Sequence, residues 1–118
     1  LLLRLAIAAR ATQDARAKGW VSDLGARFAA ARARGDRTHE KEEARFALEL
    51  QSDAAGGLAL ARSNYAVQRE PADARILLEA AIAAGQPEAA APVRDWLRAN
   101  RVESVVLLAL AARLEGAK

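Results

Sequence analysis

What most restricts the folds open to this chain is how briefly its helix-forming stretches are interrupted. Thr12 to Asp14, Gly35 to Thr38, Gln51 to Asp53, Glu70 and Pro71, and Gly85 to Pro87 are the clear breaks, each only two to five residues long. Between them lie segments of good helix formers: 32 of the 118 residues are Ala, 16 Leu and 15 Arg, while aromatics make up 4%. Sheets seldom use that mixture, so the expected fold class is all-α. Links this short oblige successive helices to run antiparallel as hairpins. With 53% hydrophobic residues the chain can bury a core, as a single domain over residues 1–118.

The punctuation predicts seven helices. The first runs from Leu1 to about Ala11; the second, capped by Thr12 with Asp14 in its first turn, runs to Arg34 and is stopped by Gly35. Thr38 caps the third, whose first turns carry Glu40, Glu42 and Glu43 against the positive end of the helix dipole and which ends near Leu50. The fourth starts from Ser52 or Asp53 and reaches about Arg69, where Pro71 stops it. The fifth covers about Ala72 to Ala84. Gly85 ends it and Pro87 opens the sixth, which Pro92 should bend and which closes by Asn100. The seventh covers about Val102 to Leu114.

The odd-numbered helices share a short core with Ala at its centre: Leu5-Ala6-Ile7, Phe46-Ala47-Leu48, Ala80-Ala81-Ile82 and Leu108-Ala109-Leu110. The alanines are 41, 34 and 28 residues apart. A mean interval of about 34 residues is the mark of stacked helix pairs. Over Glu40 to Asp73 the match becomes specific: Ala47 is a small first-helix residue flanked by the large Phe46 and Leu50, Ala59 and Ala66 are small second-helix residues, and Pro71 follows. This stretch resembles the tetratricopeptide repeat, although Glu43 stands where that repeat commonly has an aromatic and Ser63 where it has a bulky residue. The resemblance implies about three and a half helix pairs in a right-handed superhelical solenoid. Other helix-pair repeats and a plain bundle share the coarser pattern.

Little in the chain points to catalysis, so we expect a non-enzyme without cofactor or metal. There is no Cys, and His39 is the one histidine, placed beside Thr38 and Glu40 where a surface position on a helix start is expected. Ser63, Asn64 and Tyr65 lack the base or strained turn that activates a serine and read as packing and hydrogen-bonding residues. Gly56-Gly57 lacks the Lys-Ser/Thr tail of a phosphate loop and reads as a place of close helix approach. Glu42, Glu43 and Glu49 lie among Lys41 and Arg45 at ion-pairing spacings.

The function expected is protein–protein interaction, as a scaffold that holds a partner helix or peptide. Taking one face of each odd-numbered helix gives an apolar row: Leu3 and Ile7, Ala44 and Leu48, Leu78 and Ile82, Val106 and Leu110. On a solenoid this row would line a concave groove bordered by Lys41, Gln51 and Arg75; in a bundle it would be core. The groove reading selects Lys41, Leu48, Gln51, Arg75, Leu78 and Ile82 as partner-binding residues. None of the eight row positions is Lys or Asn, which argues against a clamp for a peptide carboxylate. The last helix is apolar nearly all round, and Val106, Leu107 and Leu110 are expected to make a homodimer contact or to meet further repeats.

Charge offers an alternative. Residues 1–39 carry eight Lys/Arg against three Asp/Glu, and Arg27, Arg32, Arg34 and Arg37 lie close enough to attract phosphates of a nucleic acid. Only Trp20 and Phe28 are near, however, and a solvated helix face accounts for such a run. No stretch reaches the 18 or so apolar residues of a membrane span, so a soluble chain, cytoplasmic or periplasmic, is expected. The apolar start at Leu1-Leu2-Leu3 suggests part of a longer chain, such as the helical accessory part of a larger enzyme.

Overall fold

A computed structural model describes residues 2–99 and 104–116, and all secondary structure among them is helical. The helices are α1 (Leu2–Ala11), α2 (Ala17–Ala33), α3 (Glu40–Leu50), α4 (Ala54–Val67), α5 (Pro71–Ala84), α6 (Ala91–Ala99) and α7 (Val105–Gly116), with a 3-10 turn at Pro87–Ala90 before α6. The expected ends of the sixth helix at Asn100 and start of the seventh at Val102 lie outside the described residues.

The glycine stops act as expected: Gly35 and Gly85 take φ of 72° and 64°, the left-handed conformation that ends a helix without a Cβ clash. Asp53 caps α4, its carboxylate accepting from the Gly56 amide at 2.9 Å. Other caps differ. Thr12 stays with α1, its hydroxyl donating to the carbonyls of Ala8 and Ala9, and α2 begins only at Ala17. Thr38 donates to the Asp36 carboxylate in a turn, and His39 occupies the N-cap of α3 without a side-chain cap bond. Pro71 does not close α4, which ends at Val67; it opens α5, where its missing N–H costs nothing, behind a reciprocal cap between Glu70 and Asp73. Pro92 likewise falls in the first turn of α6, so the expected mid-helix bend becomes a change from 3-10 to α geometry at Ala91.

Two apolar clusters meet across α3. The smaller joins Ala6 of α1, Leu24 of α2 and Phe46 and Leu50 of α3, with the Phe28 and Phe46 rings 5.2 Å apart. The larger runs from Ala44 through Leu58, Ala61 and Tyr65 of α4 to Ile76, Leu77 and Leu78 of α5, then to Val93, Leu97, Leu107 and Leu114. Arg10, in the last turn of α1, donates to the carbonyls of Leu50 at 2.5 Å and Glu49 at 3.3 Å, placing a cation on the negative end of α3.

The helices touch in a defined order. α1 packs on α2 and α3, α3 on α4 and α5, and α5 on α4, α6 and α7. The α3–α4 crossing is close because Gly57 has no side chain: a Cβ there would sit 2.9 Å from Leu48 Cγ and Cδ2. The molecule measures 42 × 33 × 23 Å with a radius of gyration of 14.8 Å. A compact chain of this length would have about 13.5 Å, so the arrangement is drawn out.

Three of the repeated alanines are buried, Ala6 and Ala81 completely and Ala47 almost so. Ala109 is exposed: α7 turns Leu107 and Leu114 inward instead, so the fourth alignment of the sequence repeat does not hold in space. Ala59 and Ala66, the two second-helix alanines of the resemblance, are exposed too; Leu58, Ala61 and Tyr65 form the buried stripe of α4.

Candidate functional site

The face shared by α3 and α5 is charged and internally paired. Lys41, Arg45 and Glu49 follow one another at four-residue spacing on α3, as do Arg75 and Glu79 on α5, so each set lies along one side of its helix. Arg45 grips both Glu79 oxygens at 2.6 and 3.2 Å and reaches Glu49 at 3.3 Å, while Arg75 Nε donates to Glu79 at 2.8 Å. Burial pushes the Glu79 carboxyl up, but the hydrogen bonds from Arg45 and Arg75 outweigh it and hold the group below the usual carboxylate range. Donating to Glu79 correspondingly raises the pKa of Arg45. At the other end of the face Asp73 is wholly buried, accepting from Asn64 Nδ2 at 2.8 Å and the Glu70 amide at 3.0 Å, with Lys41 Nζ 3.7 Å away.

This arrangement changes the expected binding surface. Lys41 and Arg75 are not free charges on the border of a groove, because intramolecular carboxylates already meet them. Leu78 and Ala44 are fully buried, and Leu48 and Ile82 are half-buried against the same core, so in α3 and α5 the apolar row is core. Gln51 is exposed, but at the opposite end of α3 from Lys41. The six residues therefore do not form one surface.

An open groove exists elsewhere, between α2 and α4 with α3 as its floor. Gly25, Phe28 and Arg32 form one wall, Ala59 and Leu60 the other, and Glu43, Phe46 and Ala47 lie below, enclosing about 280 Å³. Gln51 and Asp53 border it as well. Beyond Arg32, Glu43 and Leu60 a second hollow of about 310 Å³ continues past Arg37, His39 and Glu40. Glu43 is nearly buried and pairs with Arg32 at 3.3 Å; burial pushes its carboxyl up, against the opposing pull of Arg32. Sequence reasoning missed this groove. Its only local sign was the small residues Gly25, Gly56 and Ala59, whose facing across α3 depends on where α2 settles.

The basic run from Arg27 on α2 to Arg37 in the link that follows is partly spent. Arg32 pairs with Glu43, and Arg37 meets Glu40 at 3.6 Å and the Ser63 hydroxyl. On α7 the expected self-association residues separate: Leu107 is buried, Leu110 is half-buried, and Val106 is 45% exposed beside Leu108 at 47%. Leu107 therefore belongs to the core and not to an outer face. His39 is exposed, Asn64 is hydrogen-bonded in the core, and Tyr65 is buried with no hydrogen-bond partner for its hydroxyl. Among the described residues no group of three or more His, Asp or Glu is placed to hold a metal ion, and no helix is long and apolar enough to cross a membrane.

Compared with known proteins, the chain matches no family model, no curated protein and no solved structure.

Proposed function

We propose that this chain is a non-catalytic interaction module, a stack of helix pairs of the tetratricopeptide kind, and that it holds a partner's amphipathic helix in the groove between α2 and α4. The observation that carries this reading is the order of helix contacts: α1 meets α3, α3 meets α5 and α5 meets α7, so the odd-numbered helices make one row with α2, α4 and α6 against its flank. A helix pair cannot bury both its faces alone, and stacking neighbours leaves clefts between the flanking helices. The α2–α4 cleft offers Phe28 and Leu60 to an apolar stripe, over a floor closed by the buried Phe46, with the Arg32–Glu43 pair at one end and Gln51 at the other for polar contacts.

The test is a selection of peptides from a displayed random library on the immobilised protein, followed by mapping of backbone amide shifts. Selected peptides should be amphipathic helix formers whose shifts cluster at Phe28, Ala59 and Leu60. Ala59→Glu, at an exposed position, should leave stability within about 0.5 kcal/mol. It should nevertheless weaken these peptides at least about tenfold by filling the groove with a charge. Peptides that map elsewhere, or that bind Ala59→Glu equally well, would overturn the assignment.

The exposed pair Val106 and Leu108 favours a second reading, self-association through α7. Light scattering should then give twice the single-chain mass for the native sequence and the single mass for Leu108→Glu. A native chain at single mass throughout the micromolar range would remove this reading.

A further inference from the structure

On the other flank of α4, across the exposed ridge of Ala59 and Ala66, lies a separate cleft of about 450 Å³. Arg62 and Tyr65 line it from α4, Arg69 from the link that follows α4, Leu77 from α5, and Glu88 and Pro92 from the 3-10 turn and the start of α6. Arg62 stands in the second half of α4 and Arg69 just past its end, after the extended Gln68, and both border the same cleft as Tyr65. Among the described residues neither forms an ion pair, in contrast to Arg32, Arg37, Arg45 and Arg75. Arg62 has no side-chain hydrogen bond, and Arg69 has one long bond to the Tyr65 carbonyl, at 3.4 Å. The Arg69 guanidinium also lies over the Tyr65 ring, 5.6 Å from its centre, so its plane is held ready for a bidentate acceptor.

The rest of the cleft narrows the chemistry that fits. Glu88 bridges neither arginine, so a ligand has to bring anionic groups to one wall and an N–H donor to the other. The Tyr65 ring, Leu77 and Pro92 between them ask for an apolar surface. A nucleic-acid backbone supplies the anion but no donor, inorganic phosphate carries an O–H donor but brings no apolar surface, and Glu88 would repel both. A peptide with acidic side chains supplies all three features. We propose that the Arg62–Arg69 cleft binds an acidic peptide segment of a partner protein, its carboxylates on the two arginines, a backbone amide on Glu88 and an apolar side chain against Tyr65 and Pro92. This site is independent of the α2–α4 groove, and either can fail alone.

Fluorescence anisotropy with an acetylated, amidated eight-residue peptide of glutamate pairs separated by leucine tests the proposal. Its glutamine analogue, a twelve-nucleotide single-stranded DNA and inorganic phosphate serve as comparisons. The glutamate peptide should bind saturably, and the exposed double substitution Arg62→Gln/Arg69→Gln should weaken it at least about tenfold with helicity unchanged. Removing the same charge from α2 and its C-cap with Arg27→Gln/Arg34→Gln should change it less than about twofold. Glu88→Ala decides between a built site and simple attraction: loss of the amide acceptor should weaken binding about threefold, although the protein becomes more positive. The proposal is overturned by absent saturation, by equal losses in the two arginine pairs, by tighter binding to Glu88→Ala, or by DNA or phosphate that binds as well and depends on Arg62 and Arg69.

Discussion

Leu78→Glu is expected to leave the chain unfolded at room temperature, with the loss read directly in far-ultraviolet circular dichroism. Leu78 is fully buried in the middle of α5, in the larger core to which α3, α4 and α7 also contribute. Truncating a leucine in such a site costs about 2 to 5 kcal/mol. Replacing it by a carboxyl with no cation beside it adds the cost of an unpaired polar group, a few kcal/mol more whether the group ionises or takes up a proton. The total approaches the whole stability of a domain, about 5 to 15 kcal/mol. Had Leu78 lined an open groove, the glutamate would reach water and the chain would fold. A cooperatively folded Leu78→Glu protein would therefore restore the groove reading of the apolar row.

The second large effect falls on a polar residue. Asp73→Ala removes the acceptor shared by the Asn64 amide and the Glu70 N–H, and leaves Lys41 facing a buried position without its counter-charge. Breaking a buried charged network from one side costs about 3 to 5 kcal/mol, because the stranded partners keep their desolvation penalty. Lys41 is partly exposed and can turn to solvent, which places the expected loss near the lower figure. For a chain of this size about 3 kcal/mol lowers Tm by roughly 12 °C. Asp73→Asn, which keeps one acceptor oxygen, should lose less than half as much. In Asn64→Leu, where the amide partner is replaced by an apolar group, Asp73→Ala should cost less than it does in the native chain. Equal costs in the two backgrounds would show that the Asn64 bond contributes nothing.

The local rules of helix formation made much of the architecture legible. Gly35 and Gly85 had to end helices because their backbone turns left-handed, and Asp53 could be recognised as a cap from the break before it. Pro71 marked a boundary correctly but on the wrong side, since a proline that stops one helix is chemically just as fit to start the next. The alanine spacing located buried contacts at Ala6, Ala47 and Ala81 and failed at Ala109. In a helix as evenly apolar as α7, periodicity does not say which side will turn inward.

The candidate surfaces were much less legible, because each depends on what stands opposite a residue. Lys41 and Arg75 look like border charges until Asp73 and Glu79 are brought within reach of them. Arg62 and Arg69 look like ordinary solvated arginines until the turn at Pro87–Ala90 places Glu88 across a cleft from them. By itself the sequence determined that the chain is helical and where most of its helices break, properties set by neighbours along the chain. Only the tertiary structure decided that the apolar row of α3 and α5 is core, that their shared face is closed by its own ion pairs, and that the open clefts flank α4. Those outcomes are fixed by packing between residues far apart in sequence, where the position of one helix determines whether a side chain on another meets water or a partner.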